Sequence, residues 1–192
     1  MRGDGIFDRL ARLDVNTVRL CVAGLVAAVV AVILVIKALD DGETQRDHSE
    51  VLVLSRSQLL ARACSLSHPV YWVGPQQRTK RYELTSKSGG QVYVRYLPST
   101  TQAANQSPDF LVVGTYAVPD ARGALETAAN SPKRAEKLSR RNGFEMMSAP
   151  GTKHAYVVFD DQPELQIEIF SPRPGEAEKL ATSGSLRQLT EG

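Results

Sequence analysis

Cysteine is scarce in this chain: Cys21 lies inside an apolar run and Cys64 well beyond it, two in 192 residues. That excludes a disulfide-stapled scaffold and a thiolate zinc site. The two thiols are expected in different compartments and therefore unpaired, with Cys64 acting as a small buried hydrophobe. Histidine is equally sparse. His48, His68 and His154 have no second His, Cys or carboxylate at a metal-ligand spacing. No G-x-S-x-G, P-loop or dinucleotide fingerprint occurs. The carboxylates are scattered, and Asp160-Asp161 falls in a turn. Ser55, Ser57 and His68 are near one another in sequence, which does not make a catalytic set. No catalytic residue, metal or cofactor is therefore expected.

An excess of positive charge is also missing from most of the chain. The formal net charge is +2. Arg2, Arg9, Arg12, Arg19 and Lys37, set against Asp4, Asp8 and Asp14, account for all of it. The remainder is neutral, which argues against nucleic acid as a partner. A charged fraction of 23% and a hydrophobic fraction of 42% are those of a globular protein.

What the chain does have is one long apolar run. Residues 20–36 carry no charge and no proline; Lys37, Ala38 and Leu39 follow. Lys37 can snorkel, which extends the apolar span towards the ~20 residues a bilayer needs. Apolar on every side and bracketed by Arg19 and Lys37, the run reads as a membrane anchor over residues 20–39, not a core helix. A cleaved signal peptide would be shorter and end at a small-x-small site, which Ala38-Leu39-Asp40 does not supply. Arg19 and Leu20 before Cys21 rule out a lipoprotein signal. The arginine cluster on the N-terminal side places residues 1–19 in the cytoplasm. Phe7, Leu10 and Leu13 recur there at helical spacing and suit an interfacial turn.

Beyond the anchor, residues 40–54 read as a linker, including the apolar run 51–54 with no assigned state. A domain over residues 55–192 follows. Ser55 and Gln58 form a capping box for a helix over residues 56–66, with Leu59, Leu60, Ala63 and Cys64 on one face and His68-Pro69 as its stop. Residues 70–73 are β-branched and aromatic and end at Gly74-Pro75. Residues 81–85 and 91–97 alternate about Ser88-Gly89-Gly90 as a hairpin. That register sets Leu84 against Val94, Tyr82 against Tyr96, and Glu83 against Arg95. A polar loop covers residues 98–108, where Asn105-Gln106-Ser107 has a sequon pattern weakened by Pro108. A strand over 110–118 and an alanine-rich helix over 121–129 come next. Ser131-Pro132 then starts a helix predicted to end at Asn142-Gly143. Its Lys133, Arg134, Lys137, Arg140 and Arg141 make a basic run, best read as a solvated helix face. Strands over 144–147, 155–159 and 165–170, a helix over 174–182 and a short strand over 186–189 complete the series.

The fold class is α+β: an antiparallel sheet with helices on one face. The element order suggests two pseudo-equivalent αβββ halves, aligning Tyr82 with Tyr156, Leu84 with Val158, and Val92, Val94 and Tyr96 with Leu165, Ile167 and Ile169. Identity is slight, and two α+β halves can look alike by chance. Strict alternation from Trp72, Leu84, Val92 and Val94 puts Tyr71, Glu83, Tyr93 and Arg95 on the face away from the core. In the second half Val157 and Phe159, beside Gln166 and Glu168, take that place. Tyr71, Tyr93, Arg95, Val157 and Phe159 thus form the candidate interaction surface. The alternative is that the chain's own helices cover Val157 and Phe159.

The strings His-Pro-Val-Tyr-Trp-Val-Gly-Pro from His68, Tyr-Glu-Leu-Thr from Tyr82 and Val-Tyr-Val-Arg-Tyr-Leu-Pro from Val92 resemble uncharacterised single-pass membrane-anchored proteins of high-GC Gram-positive bacteria. The segments Val113-Gly114-Thr115-Tyr116 and Gln166-Ile167-Glu168-Ile169-Phe170 share the likeness, which runs from about Ser55 onward. It implies a bacterial cell-surface setting and brings no activity. Three classes of function stay open: an envelope interaction or structural domain, partnered by an envelope protein or by itself; a binding module for a small or amphiphilic ligand; and an enzyme with an unrecognised site. An apolar cavity between sheet and helices would point to the second, convergent titratable groups in a cleft to the third.

The Arg2, Arg9, Arg12 and Arg19 cluster sets the first test. Protease added to intact spheroplasts should digest the chain after Asp40 and spare an N-terminal tag. A C-terminal domain protected until lysis would reverse the orientation.

Overall fold

The computed structural model describes residues 49–98, 107–131 and 136–190. The expected anchor, the N-terminal tail and most of the linker lie outside them. Among the described residues no helix is long and apolar enough to cross a membrane. Residues Asp47–Gly192 form one compact unit, treated by itself below.

The Ser88-Gly89-Gly90 loop closes the hairpin foreseen for it. Gly89 and Gly90 take φ of 87° and 73°, a region a side chain would oppose. Strands β3 (Arg81–Lys87) and β4 (Gln91–Leu97) pair as Leu84↔Val94, Tyr82↔Tyr96 and Glu83↔Arg95. The Arg95 guanidinium stands 3.2 Å from the Glu83 carboxylate. The edge partner of β3 is β1 (Glu50–Leu54), so the apolar run at 51–54 belongs to the sheet and not to a linker. Its Leu52 and Leu54 fall beside Leu84 and Tyr82, an alternation too short to distinguish from a linker in sequence.

Beyond β4 come β5 (Val112–Ala117), β9 (Leu165–Phe170), β8 (His154–Phe159), β7 (Phe144–Ser148) and β6 (Lys137–Arg141). The eight strands run β1-β3-β4-β5-β9-β8-β7-β6, each antiparallel to its neighbour. The order is symmetric about the β5/β9 seam. It relates β4 to β8 and β3 to β7, not β3 to β8 as the residue alignment proposed. Each half contributes four strands to the sheet and is followed by a helix, rather than αβββ; in the first half residues 55–80 separate β1 from β3 along the chain.

Where a helix was predicted through Arg141, the chain makes β6. Asn142-Gly143 is a hairpin turn and not a helix stop: Gly143 has φ of 88° and Arg141 pairs with Phe144. Helix propensity in this stretch yields to pairing with β7. Lys137, Arg140 and Arg141 therefore lie on an edge strand; Lys133 and Arg134 fall outside the described residues.

Helix α1 (Arg56–Ala63) begins with the expected capping box: the Gln58 amide N–H donates to Ser55 Oγ, and the Ser55 amide donates to Gln58 Oε1 at 2.9 Å. It ends sooner than predicted, and Cys64, at its C-cap, is exposed rather than buried. Leu59 and Ala63 pack onto the sheet. On the same side lie α3 (Glu176–Thr182), through Ala177 and Ala181, and a two-stranded ribbon of β2 (Tyr71–Trp72) with β10 (Arg187–Gln188). The helices do not all share that side. In α2 (Ala121–Ala129), Ala121 and Leu125 are buried outside the main core, and Arg122 reaches Glu145 across the other face of the second half.

The ribbon sits over the sheet, so both of its faces are covered. Trp72 is 3% exposed and meets the edge of Tyr82 at 6.1 Å, with the Arg56 and Arg187 guanidiniums 5.8 and 5.9 Å from its ring. Truncating Trp72 to alanine should cost roughly 3–5 kcal/mol through lost burial and a residual cavity. Thermal unfolding of the Asp47–Gly192 unit measures it; a wild-type melt would remove Trp72 from the core.

Candidate functional site

The proposed surface residues separate in the structure. Alternation holds within the main sheet, where Glu83, Tyr93 and Arg95 share the face opposite the main core, with Tyr93 and Arg95 half-buried. It fails for Tyr71, because β2 is not in that sheet. Tyr71 is 5% exposed and donates its backbone N–H to Thr115 Oγ1 at 3.1 Å, from inside the main core. Val157 is fully buried, and Phe159 lies between Tyr71 and Phe144 at centroid distances of 5.1 and 5.8 Å. The covered alternative thus applies: helix α3 packs against β8, burying Val157 in the main core, and Tyr71 of the ribbon stacks on Phe159. Burial, with Asp161 and Glu164 nearby, pushes the Tyr71 hydroxyl up to about 12.

The face that keeps Tyr93 and Arg95 carries a polar network that sequence spacing did not reveal. Glu168 on β9 accepts from Tyr116 Oη at 2.6 Å and from His154 Nδ1 at 2.8 Å, and Tyr156 is a third donor. The register explains the convergence. Tyr156 sits directly opposite Glu168, His154 lies two residues along β8, and Gly114 faces Glu168 from β5. Gly114 is needed: a β-carbon there would stand 2.7 Å from the Tyr116 hydroxyl, which leans back over it to reach the carboxylate. Tyr93 packs edge-on to Tyr116 at 5.6 Å and donates to Gln91 Oε1 at 3.2 Å. The missing signal was the β8/β9 register, which a sequence lacking it cannot place.

Burial drives the Glu168 carboxyl up, but the hydrogen bonds from His154, Tyr116 and Tyr156 outweigh it and hold it below its ordinary value. Tyr116 moves well above its own, through burial and then the Glu168 charge. All three donors end on one carboxylate, so the arrangement fixes a charge in place. Two glutamates more deeply buried than the half-buried Glu168 are held by arginines: Glu83 by Arg95, and Glu145 by Arg140 and, at 3.8 Å, by Arg122. No group of side chains among the described residues could hold a metal ion.

A cleft of about 830 Å³ opens at the other end of β4, lined by Arg78, Tyr96, Asp109, Phe110, Pro172 and Arg173 among others. Its charged, open walls are unlike an apolar cavity between sheet and helices. Tyr96 is itself committed, accepting the Val73 N–H at 2.9 Å. The chain matches no known protein family, no curated protein and no solved structure.

Because its folded pKa is depressed, Glu168 contributes stability fully above the ordinary carboxylate value of about 4.3. That contribution is lost as pH falls through the lower folded value. Tyr116→Phe removes one donor to a charged acceptor and should cost roughly 1.5–3 kcal/mol at neutral pH. The difference from wild type should shrink below about pH 4 in denaturant titrations. A pH-independent difference would detach the effect from Glu168.

Proposed function

We propose that the chain is an extracytoplasmic interaction module of the cell envelope, tethered by residues 20–39 and not an enzyme. Its docking surface is the face of β1, β3, β4 and β5 that carries Tyr93 and Arg95. One observation supports this above the others. Among the described residues, α2 packs on this side of the second half only, and no helix packs on this side of the first. That half presents aromatic rings beside cations: Lys87 Nζ lies 5.5 Å from the Tyr93 ring, and the Arg95 guanidinium 5.9 Å from Phe110. Tyrosine and arginine are the residue types that dominate binding energy at protein interfaces. The partner that suits them is an envelope protein presenting carboxylates beside apolar side chains. The polar cleft near Tyr96 supports a small-ligand module less well, since it offers no enclosed apolar volume.

The test pairs two substitutions in the full chain. Tyr93→Ser should reduce the yield of a crosslinked envelope partner several-fold and leave the melting temperature close to wild type. Phe159→Ser should do the converse, costing about 2–4 kcal/mol by opening the stack with Tyr71 and Phe144. Partner capture unchanged by Tyr93→Ser would remove this face from the interface.

A further inference from the structure

An eight-stranded open sheet has two outer strands, and here they are unlike each other. The two large hydrophobic residues that stay exposed among the described residues fall one on each: Val51 on β1, 38% exposed, and Leu138 on β6, 37% exposed. Strand β6 is guarded. Lys137, Arg140 and Arg141 stud it with positive charge, a common device against edge-to-edge pairing. Strand β1, Glu-Val-Leu-Val-Leu, has no lysine, proline, glycine or other usual guard. Its one charge, Glu50, is tied back to the chain's own Arg62 at 2.5 Å. Its inner side pairs with β3, and among the described residues nothing pairs with its outer side.

We propose that β1 is a self-association edge: two copies of this chain pair their β1 strands antiparallel about a twofold axis through Leu52, joining two eight-stranded sheets into one. The occupant is a second copy because the strand complements itself. Val51-Leu52-Val53 is a palindrome. Pairing about Leu52 sets Val51 against Val53 of the second copy and Leu52 against its own equivalent. Pleat and register agree with this. Leu52 and Leu54 lie on the side of β3 that carries Leu84 and Tyr82, towards α1 and the main core; Val51 and Val53 lie on the other. The twofold therefore keeps leucine beside leucine on the core side and valine beside valine opposite, with no register slip needed. Each Glu50 meets Leu54 of the second copy, so no like charges face each other. A copy offering β6 instead would bring Lys137, Arg140 and Arg141 with nothing acidic on β1 free to meet them. This inference is independent of the partner face around Tyr93.

Residues facing each other across an antiparallel pair have Cα atoms roughly 4.5–5.5 Å apart, within the ~4.4–6.8 Å that a disulfide accepts. In full-length chain in its native membrane, with Cys21→Ser and Cys64→Ser, Leu52→Cys should give a disulfide-linked homodimer under mild oxidant. Leu138→Cys, on the guarded edge, should stay monomeric. In mild detergent the wild-type chain should sediment as a dimer. Val51→Lys, at an exposed position, should weaken that dimer at least about tenfold without changing the melt. The proposal is overturned if Leu52→Cys gives no homodimer, links to a different protein, or links no better than Leu138→Cys. A wild-type monomer, or a Val51→Lys dimer as tight as wild type, overturns it equally.

Discussion

The two halves share a sheet only through β5 and β9. Everything built on either side has to respect that seam. On the main-core side Val113 lies against Ile169, and Thr115 against Ile167, so the apolar layer crosses from one half to the other without a break. On the opposite side the same two strands bring Gly114 and Tyr116 beside Glu168. A carboxylate there would be unfavourable by several kcal/mol if left alone. Three donors, from β5 and β8, offset that penalty and tie the seam strand to its neighbours on both sides. Seam geometry thus sets two requirements in sequence: a glycine at 114, and hydrogen-bonding side chains at 116, 154 and 156.

The division of labour between the sheet's faces follows. The main-core side is closed by α1, by the β2/β10 ribbon and by α3, and it takes most of the large buried apolar residues. The ribbon is held by side chains of the sheet beneath it, Thr115 meeting the Tyr71 amide and Tyr96 the Val73 amide. Among the described residues, the helix that closes the other side over the second half is α2. Buried carboxylates are confined to this side. Glu83 and Glu145 are paired with arginines and Glu168 is held by three hydrogen-bond donors, while a smaller apolar cluster of Ala121, Leu125, Met147 and Val158 is buried on this side.

Legibility varied with how local the determining interaction was. The β3/β4 hairpin could be read to the residue, because its loop length and cross-strand pairs lie within one short stretch. The α1 capping box and the bounds of α2 were equally local. The stretch after Ser131 misled: proline, serine and basic residues favour a helix, and Asn-Gly terminates a helix or turns a hairpin with equal facility. Only the presence of β7 decides between them. Tyr71 and Trp72 were assigned to opposite faces by a rule that presumes one sheet; a ribbon lying over another sheet buries both. The convergence on Glu168 was hidden for the same kind of reason, since His154, Tyr116 and Glu168 meet only through long-range pairing.

The ribbon joins residues near the two ends of the described domain. Leu189 donates its N–H to the Val70 carbonyl at 2.7 Å, and Leu186 and Leu189 are buried beside Trp72. A chain emerging from the ribosome can form the β3/β4 hairpin early, yet it cannot shut its core until β10 arrives to pair with β2. Until then Tyr71 and Trp72 have no strand partner. Without β10 that aromatic layer would stay open, an apolar surface exposed to aggregation and proteolysis.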